Sequence, residues 1–284
     1  MIVVNETSRK ILRNHSKQLL KALGICLIAF IIPFFLIQLE AKAIRLKVGV
    51  LAPEGTGWAN EMKKMAKEIK KATNKKVKFK FYFGGSQGDE HDVLRKIRIS
   101  QLAGGVFTGK TLWDINGDVR VVEIPYTFEN NQKKGWKTVE ALAPFFEKKF
   151  DQSGFKNLGF FELGMVYFVS QKKVSNLNDL KGKKIWSWEG DKIVSTMIEK
   201  MKLVSVPLPL PDVLSSLSTG IVEAAYAPPM GIIALQWNTK IKYLVDFPIA
   251  YSVGAFLIDR KKWDKVSPEH QKVVESIARK YMAK

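Results

Sequence analysis

Residues 45–90 read RLKVGVLAPEGTGWANEMKKMAKEIKKATNKKVKFKFYFGGSQGDE and contain the pattern that decides the fold. At their start, Leu46, Val48 and Val50 alternate with other residues, which is typical of a β-strand. A turn signal beginning at Pro53 ends this run. The stretch therefore opens with a strand that leaves into a loop.

The middle of the stretch predicts a helix, and its end predicts a second strand. Apolar residues recur at helical spacing with lysines on the other faces; they are Trp58, Met62, Met65 and Ile69. From Val77 to Phe83 apolar residues alternate with lysines, and the pair Gly84-Gly85 ends the run. A β-α-β unit at the start of the chain follows from this order.

The same alternation continues to the C-terminus. Later strands are predicted at 119–124, 160–170, 183–187, 204–206, 222–225, 242–245 and 252–258. Helices are predicted at 90–102, 133–150, 192–201, 212–219 and 232–237, and a last one begins at the Ser267-Pro268-Glu269 cap. Repeated β-α units predict an α/β fold with mostly parallel sheets, whose ligands bind at the carboxyl ends of strands.

The first 43 residues predict an export signal. Basic residues precede an apolar run from Ala22 to Ile37, and Ala41-Lys42-Ala43 is a small-x-small cleavage site. We therefore expect the mature chain to begin at Ile44. An uncleaved membrane anchor is the alternative, because the apolar run is only slightly shorter than a spanning helix. Cys26 is the only cysteine and lies in this leader, so the mature chain is expected to have neither a disulfide nor a cysteine-ligated metal site.

The chain is strongly basic, with a net charge of +19. The leader has six basic and two acidic residues, which leaves +15 on residues 44–284. The excess is mostly lysine spread along predicted helix faces and strand edges, without an arginine cluster, and it follows an export signal. This distribution argues against nucleic acid and favours a solvated basic surface, with attraction of an anionic partner as a secondary effect.

Several loop stretches resemble one family in their order and spacing. They are 84–90 (GGSQGDE), 177–185 (LNDLKGKKI), 206–213 (VPLPLPDV), 217–224 (LSTGIVEA) and 267–269 (SPE). Together they are similar to the solute receptors of tripartite ATP-independent periplasmic (TRAP) transporters, of the dicarboxylate-binding type. A single glycine-rich loop would carry little weight, but ordered motifs across the whole mature chain carry more.

This resemblance implies a two-lobed periplasmic-binding-protein-like fold with hinge strands crossing between lobes. One lobe would hold residues 44–166 together with 251–284, the other residues 167–250, and 160–170 would contain a crossing strand. The implied function is capture of a small organic ligand in the periplasm by hinge closure, for delivery to the TRAP membrane subunits. A receptor that presents its ligand to a membrane sensor is the alternative. Family members usually continue beyond the helix that begins at Ser267, so either that element is shortened here or the sequence is incomplete.

The chemistry of the mature chain does not favour an enzyme. His91 and His270 are its only histidines, and neither lies near a Gly-x-Ser-x-Gly elbow that would indicate a catalytic triad. The acidic run Asp89-Glu90-His91-Asp92 has residue types that ligate metals, but acidic residues are also favourable at the start of a helix. We expect the second role, and no cofactor or metal.

Seven residues are candidate ligand contacts: Trp58, Glu90, Thr108, Trp186, Trp188, Tyr226 and Trp237. The resemblance implies cleft positions for Glu90 and Tyr226. Trp58 lies on the loop that leaves the first predicted strand, although it also fits the first core position of its helix. Thr108 follows an apolar stretch at the corresponding end of another strand, where its hydroxyl is a candidate hydrogen-bond group. Trp186 and Trp188 alternate on one strand and face the same side, although a core role fits them too. Trp237 ends the helix that follows Tyr226.

Comparison with the family also predicts that this chain does not hold its ligand by the usual arginine–carboxylate pair. Family members place an arginine directly after the Gly-Lys-Lys-Ile strand motif, where its planar fork binds a carboxylate. Here that position is Trp186, and residues 164–167 (GMVY) lack a second arginine that family members often have. We therefore expect a ring-bearing, hydrophobic or cationic ligand in an aromatic-lined cleft. The alternative is that a lysine such as Lys110 or Lys192 replaces the arginine.

Overall fold

The computed structural model describes residues 43–283. The strands are β1 (Ile44–Gly49), β2 (Val77–Tyr82), β3 (Gly104–Thr108), β4 (Phe155–Ser170), β5 (Lys184–Trp188), β6 (Val204–Leu208), β7 (Ala224–Ala227), β8 (Tyr243–Leu244) and β9 (Ala250–Asp259). The helices are α1 (Gly57–Ala72), α2 (Glu90–Arg98), α3 (Gly109–Ile115), α4 (Gln132–Gln152), α5 (Lys192–Lys200), α6 (Val213–Thr219), α7 (Pro229–Ala234), α8 (Arg260–Trp263) and α9 (Pro268–Met282). Short 3-10 helices lie at Gly117–Glu123, Leu177–Leu180, Leu210–Asp212 and Trp237–Thr239. The predicted export signal, up to Lys42, lies outside the described residues.

The opening β-α-β unit forms as its sequence pattern predicts. β1 pairs in parallel with β2 along its whole length and with β3 at its end. The helix between them begins after Thr56, whose side chain accepts a hydrogen bond from the Ala59 backbone N–H. Met62, Met65 and Ile69 on its predicted inner face are buried. Burial of this apolar stripe against the sheet holds α1 in place.

β4 and β9 join two halves of one sheet, whose strand order is β2-β1-β3-β9-β4-β7-β5-β6 with β8 beside β4. Residues from Phe155 to Val166 pair antiparallel with β9, and residues from Tyr167 to Ser170 pair with β7. The predicted crossing strand is therefore present. The β-α-β units on either side pair in parallel, whereas the crossing strands pair antiparallel.

Separate hydrophobic cores lie on the two sides of these crossing strands. On the β1 side, two clusters are built around residues such as Met65, Phe107 and Phe256. On the β5 side, another cluster surrounds Phe168 and Trp186. The fold is thus α/β and two-lobed. We call the elements around the first two clusters the first lobe and those around the third the second lobe.

The strand predicted at 119–124 is wrong, because the structure has a 3-10 helix at Gly117–Glu123. Val119 and Val122 are both buried, and so are Arg120 and Glu123. Burial thus recurs every third residue, which is the period of a 3-10 helix and not of a strand. The side chain of Asn116 accepts a hydrogen bond from the Asp118 N–H and starts the turn.

Other element boundaries shift by a few residues. The helix predicted at 232–237 begins earlier, at Pro229, and ends at Ala234 before the 3-10 turn that contains Trp237. Trp58, for which the sequence leaves both the loop and the start of the helix open, lies in the first turn of α1. None of the helices in residues 43–283 combines the length and apolar sequence that crossing a bilayer requires.

Candidate functional site

A cavity of about 870 Å³ lies between the lobes, at the carboxyl ends of β1, β3 and β5. This is where ligands bind in open α/β sheets, because the loops that leave the strands converge at this edge. The seven residues singled out in the sequence all line it: Trp58, Glu90, Thr108, Trp186, Trp188, Tyr226 and Trp237. Their shared location agrees with a ligand-binding site. That each of them contacts the ligand stays a prediction.

Glu90 and Thr108 form one buried polar unit on the first-lobe wall. The Thr108 N–H lies 3.0 and 3.1 Å from the two carboxyl oxygens of Glu90, and Thr108 Oγ1 lies 3.2 Å from one of them. Glu90 is only 2% exposed. Burial in this site raises the pKa of Glu90 to about 8, so the carboxyl is largely protonated at neutral pH and has a proton to donate.

Four aromatic side chains of the second lobe line the cavity beside its aliphatic residues: Trp186, Trp188, Tyr226 and Trp237. Trp186 stacks on Tyr226 with ring centres 4.8 Å apart and meets Trp237 edge-on at 5.3 Å. Its neighbour Trp188 lies on the same side at 5.9 Å, as the alternation along β5 predicts. Trp186 donates its indole N–H to the Leu208 carbonyl at 3.0 Å. Trp186 therefore belongs both to the core of the second lobe and to the cavity wall. Its indole N–H is already bonded to the Leu208 carbonyl and is not available to a ligand.

Tyr226 fixes the end of β5 as well as the ring stack. Its hydroxyl oxygen accepts a hydrogen bond from the Trp188 backbone N–H at 3.1 Å. Burial raises the pKa of Tyr226, so the hydroxyl stays protonated. Trp58, on the opposite wall, is partly exposed and contributes a ring from the first turn of α1. The cavity therefore has aromatic surfaces on both lobes.

Arg120 is a buried cation of the cavity wall that the sequence analysis did not identify. Its guanidinium makes a bidentate pair with Asp191 of the second lobe, with Nη2 3.0 Å from Oδ1 and Nη1 3.2 Å from Oδ2. Its Nε lies 3.1 Å from Glu123 Oε2, an ionic contact without hydrogen-bond geometry. Burial raises the pKa of Glu123 even with this guanidinium beside it.

A second contact also joins the lobes across the cavity. Trp188 donates its indole N–H to Asp89 Oδ2 at 2.9 Å. Asp89 also caps α2, where it accepts a hydrogen bond from the Glu90 N–H. An acidic side chain at the start of this helix was predicted, and it does bind the helix N-terminus.

Residues 48–284 match the family model described as bacterial extracellular solute-binding protein, family 7. The chain belongs to this family. A curated relative, an uncharacterized protein of Haemophilus influenzae, is 25% identical over 221 residues, which are 77% of this chain and 66% of the relative. A solute-binding protein of Verminephrobacter eiseniae is 21% identical over 84% of this chain and 71% of its own length. This chain thus spans about two thirds of the length of the first of these relatives.

Solved structures of TRAP periplasmic solute-binding proteins share this fold. One from Desulfovibrio salexigens, with bound orotic acid, superposes with a TM-score of 0.76 at 21% identity, over 84% of this chain and 77% of that one. One from Polaromonas, bound to D-erythronate, gives a TM-score of 0.78 at 21% identity, over 84% and 78%. At this level of identity the likeness establishes the two-lobed fold, which confirms the sequence-based expectation.

The two lysines proposed as substitutes for the family arginine differ in position. Lys110 lines the cavity, is 9% exposed and lies with Nζ 3.1 Å from Asp114 Oδ2. Lys192 is exposed and does not belong to the cavity wall. Arg120 was missed because it fell inside a segment predicted as a strand. The spacing of Arg120 and Glu123, three positions apart, is the sequence signal for a 3-10 turn, whereas their burial is seen only in the structure.

Proposed function

We propose that this chain is the extracytoplasmic solute receptor of a TRAP-type secondary transporter, and that it captures a small organic ligand between its lobes by hinge closure. The observation that carries the proposal is the interlobe cavity, whose walls come from both lobes and combine aromatic rings with buried polar groups. Such a cavity encloses a ligand only when both walls are in place. The TRAP membrane subunits are the partners that this function requires.

The pairing of β4 supports a hinge at the predicted lobe boundary. Val166 pairs with Ala250 of β9, whereas the next residue, Tyr167, pairs with Ala227 of β7. A strand that changes partner at one residue can bend there while both halves of the sheet stay intact. We therefore place one lobe at residues 44–166 with 251–284 and the other at 167–250.

The ligand we propose has a ring and is not held by the family's carboxylate clamp. Related structures contain carboxylates, such as orotic acid and D-erythronate. In this chain Trp186 stands at the clamp position, and rings from both lobes line the cavity. Aromatic side chains stack on planar or apolar ligand faces, which favours a ring-bearing ligand.

Native mass spectrometry of the exported protein tests the function. We expect a co-purified small molecule that is released unchanged on denaturation, and whose addition to stripped protein raises the melting temperature. A thermal-shift screen should show weak stabilisation by succinate, malate and a sialic acid. Chemical turnover of the bound molecule would contradict a receptor function. One result would contradict the ring-bearing ligand. These acids would stabilise the protein strongly, a lysine substitution would weaken this stabilisation, and Trp186→Ala would not.

We also propose that the protein works in the periplasm after removal of its leader. The Ala41-Lys42-Ala43 motif that follows the apolar run motivates cleavage after Ala43. N-terminal sequencing of the exported protein should begin at Ile44. A product that retains Met1 and stays in the membrane fraction would show an anchored receptor instead.

A further inference from the structure

Carboxylates of the protein surround the guanidinium of Arg120. Both terminal nitrogens bind Asp191, and Nε faces Glu123 at 3.1 Å. Arg120 is 5% exposed and Asp191 7%. A guanidinium binds a carboxylate best through the paired N–H groups of one edge, and in Arg120 the terminal edge is already occupied.

Backbone donors hold both carboxylates in place. Asp191 caps α5, and its Oδ1 accepts from the N–H groups of Ile193 and Val194 at 3.1 and 3.2 Å. Glu123 Oε1 accepts from Val253 N–H at 2.9 Å and from the Ser252 hydroxyl at 3.1 Å. Displacing either carboxylate would break these bonds as well as the ion pair, so a ligand cannot compete for Arg120 at low cost.

We propose that Asp191 occupies Arg120 in the manner of a ligand carboxylate and thereby makes this cleft select against carboxylate ligands. This inference rests on the proposed solute-binding function and assigns its specificity to one residue. Asp191 belongs to the second lobe and Arg120 to the first, so the ion pair forms across the cleft, where a bound ligand also has to bridge the lobes.

The other charged groups of the cavity wall agree with this selectivity. Its carboxyl groups are Glu61, Glu90, Glu123, Glu162 and Asp191, and its cations are Lys64, Lys110 and Arg120. Lys64 pairs with Glu61 and Lys110 with Asp114. Carboxyl groups therefore outnumber cations on the described wall, even with the protonated Glu90 left out of the count. A ligand with a planar ring and N–H donors, neutral or cationic, complements this wall, whereas an acid does not.

Orotate and uracil provide a matched pair of probes, because they share a ring and differ by one carboxylate. Calorimetric titration of the ligand-stripped wild type should show only weak orotate binding. Asp191→Asn frees one edge of Arg120 and keeps a good helix cap, so orotate affinity should rise by about tenfold or more. D-glucuronate should behave in the same way, and uracil should not gain.

Asp89→Asn is the matched control, because Asp89 also caps a helix and contacts the other lobe but does not touch Arg120. It should gain no orotate affinity, and adding Arg120→Gln to Asp191→Asn should remove the gain. Three results would overturn the inference: wild-type binding of orotate as tight as in Asp191→Asn, no gain in Asp191→Asn, or an equal gain in Asp89→Asn. Failure of solute capture itself would appear separately, as absence of any co-purified molecule from the wild type.

Discussion

Glu90 is a carboxyl group whose protonation is coupled to folding. Burial raises its pKa from 4.5 to about 8 in the folded protein. Between these values the folded state binds a proton that the unfolded chain has lost, so the free energy of unfolding falls as pH rises. The contribution of Glu90 is complete below about pH 4.5 and is lost as pH rises through about 8.

We therefore expect Glu90→Gln to flatten the pH dependence of stability. Glutamine keeps an acceptor for the Thr108 N–H but cannot ionise. Relative to the variant, the wild type should lose on the order of a few kcal/mol of unfolding free energy between about pH 5 and about pH 9. Urea denaturation at both pH values measures this. The control is Glu54→Gln at an exposed position, and equal profiles for wild type and Glu90→Gln would contradict the prediction.

Part of the site follows from local sequence, and part depends on long-range packing. Alternation along β5 places Trp186 and Trp188 on one side, and their ring contact agrees with it. The pair of Arg120 and Asp191 joins residues 71 positions apart on different lobes. No local pattern specifies which carboxylate meets which guanidinium across a cleft, because this depends on how the lobes pack.

Among the elements, β4 carries two irregularities that shape the crossing strand. Its register against β9 shifts between Asn157 and Gly159 and again between Glu162 and Gly164. Gly164 has φ +96°, a conformation that L-residues rarely adopt. This second shift leaves Leu163 outside the ladder, and both Leu163 and Glu162 line the cavity. The bulge therefore lies where the crossing strand borders the cleft.

Gly164→Ala should destabilise the protein by about 1–3 kcal/mol through backbone strain. Steric clash does not explain such a loss, because the nearest atom to an added Cβ is 3.7 Å away, on Gln132. The control is Gly57→Ala in the first turn of α1, where an added Cβ meets no described atom within 4 Å. The control should match the wild type or gain up to about 1 kcal/mol in urea denaturation. A neutral Gly164→Ala would show that the bulge relaxes.

Most strands and helices could be predicted because their apolar periods are long and regular. The helix face at Met62, Met65 and Ile69 is an example, and all three are buried. The strand predicted at 119–124 relies on the valines of VRVVEI, although the alternation breaks at Val122-Glu123 and the charged residues lie three positions apart. That Arg120 and Glu123 are buried by the neighbouring elements is tertiary information, which the sequence pattern does not contain.

For the whole molecule, the proposed hinge in the crossing strand lets the lobes open, whereas the interlobe contacts hold them closed. β4 runs from the first lobe, where it pairs with β9, into the second lobe, where it pairs with β7, and the change of partner after Val166 is the proposed hinge. The Arg120–Asp191 ion pair and the Trp188–Asp89 hydrogen bond join the lobes on the cleft side. Both contacts favour a closed conformation without ligand, against the freedom of an open hinge.

We therefore expect the double variant Trp188→Phe with Asp191→Asn to be more open than the wild type when both are ligand-free. Phenylalanine keeps the ring but has no N–H for Asp89, and asparagine weakens the bidentate pair. Small-angle scattering of urea-stripped, refolded protein should give a larger radius of gyration for the double variant. The control is Arg279→Gln, which breaks an ion pair with Glu147 within the first lobe and should leave the radius unchanged. Equal radii for wild type and double variant would mean that other contacts hold the lobes together, because a hinge released from both bridges populates more extended states.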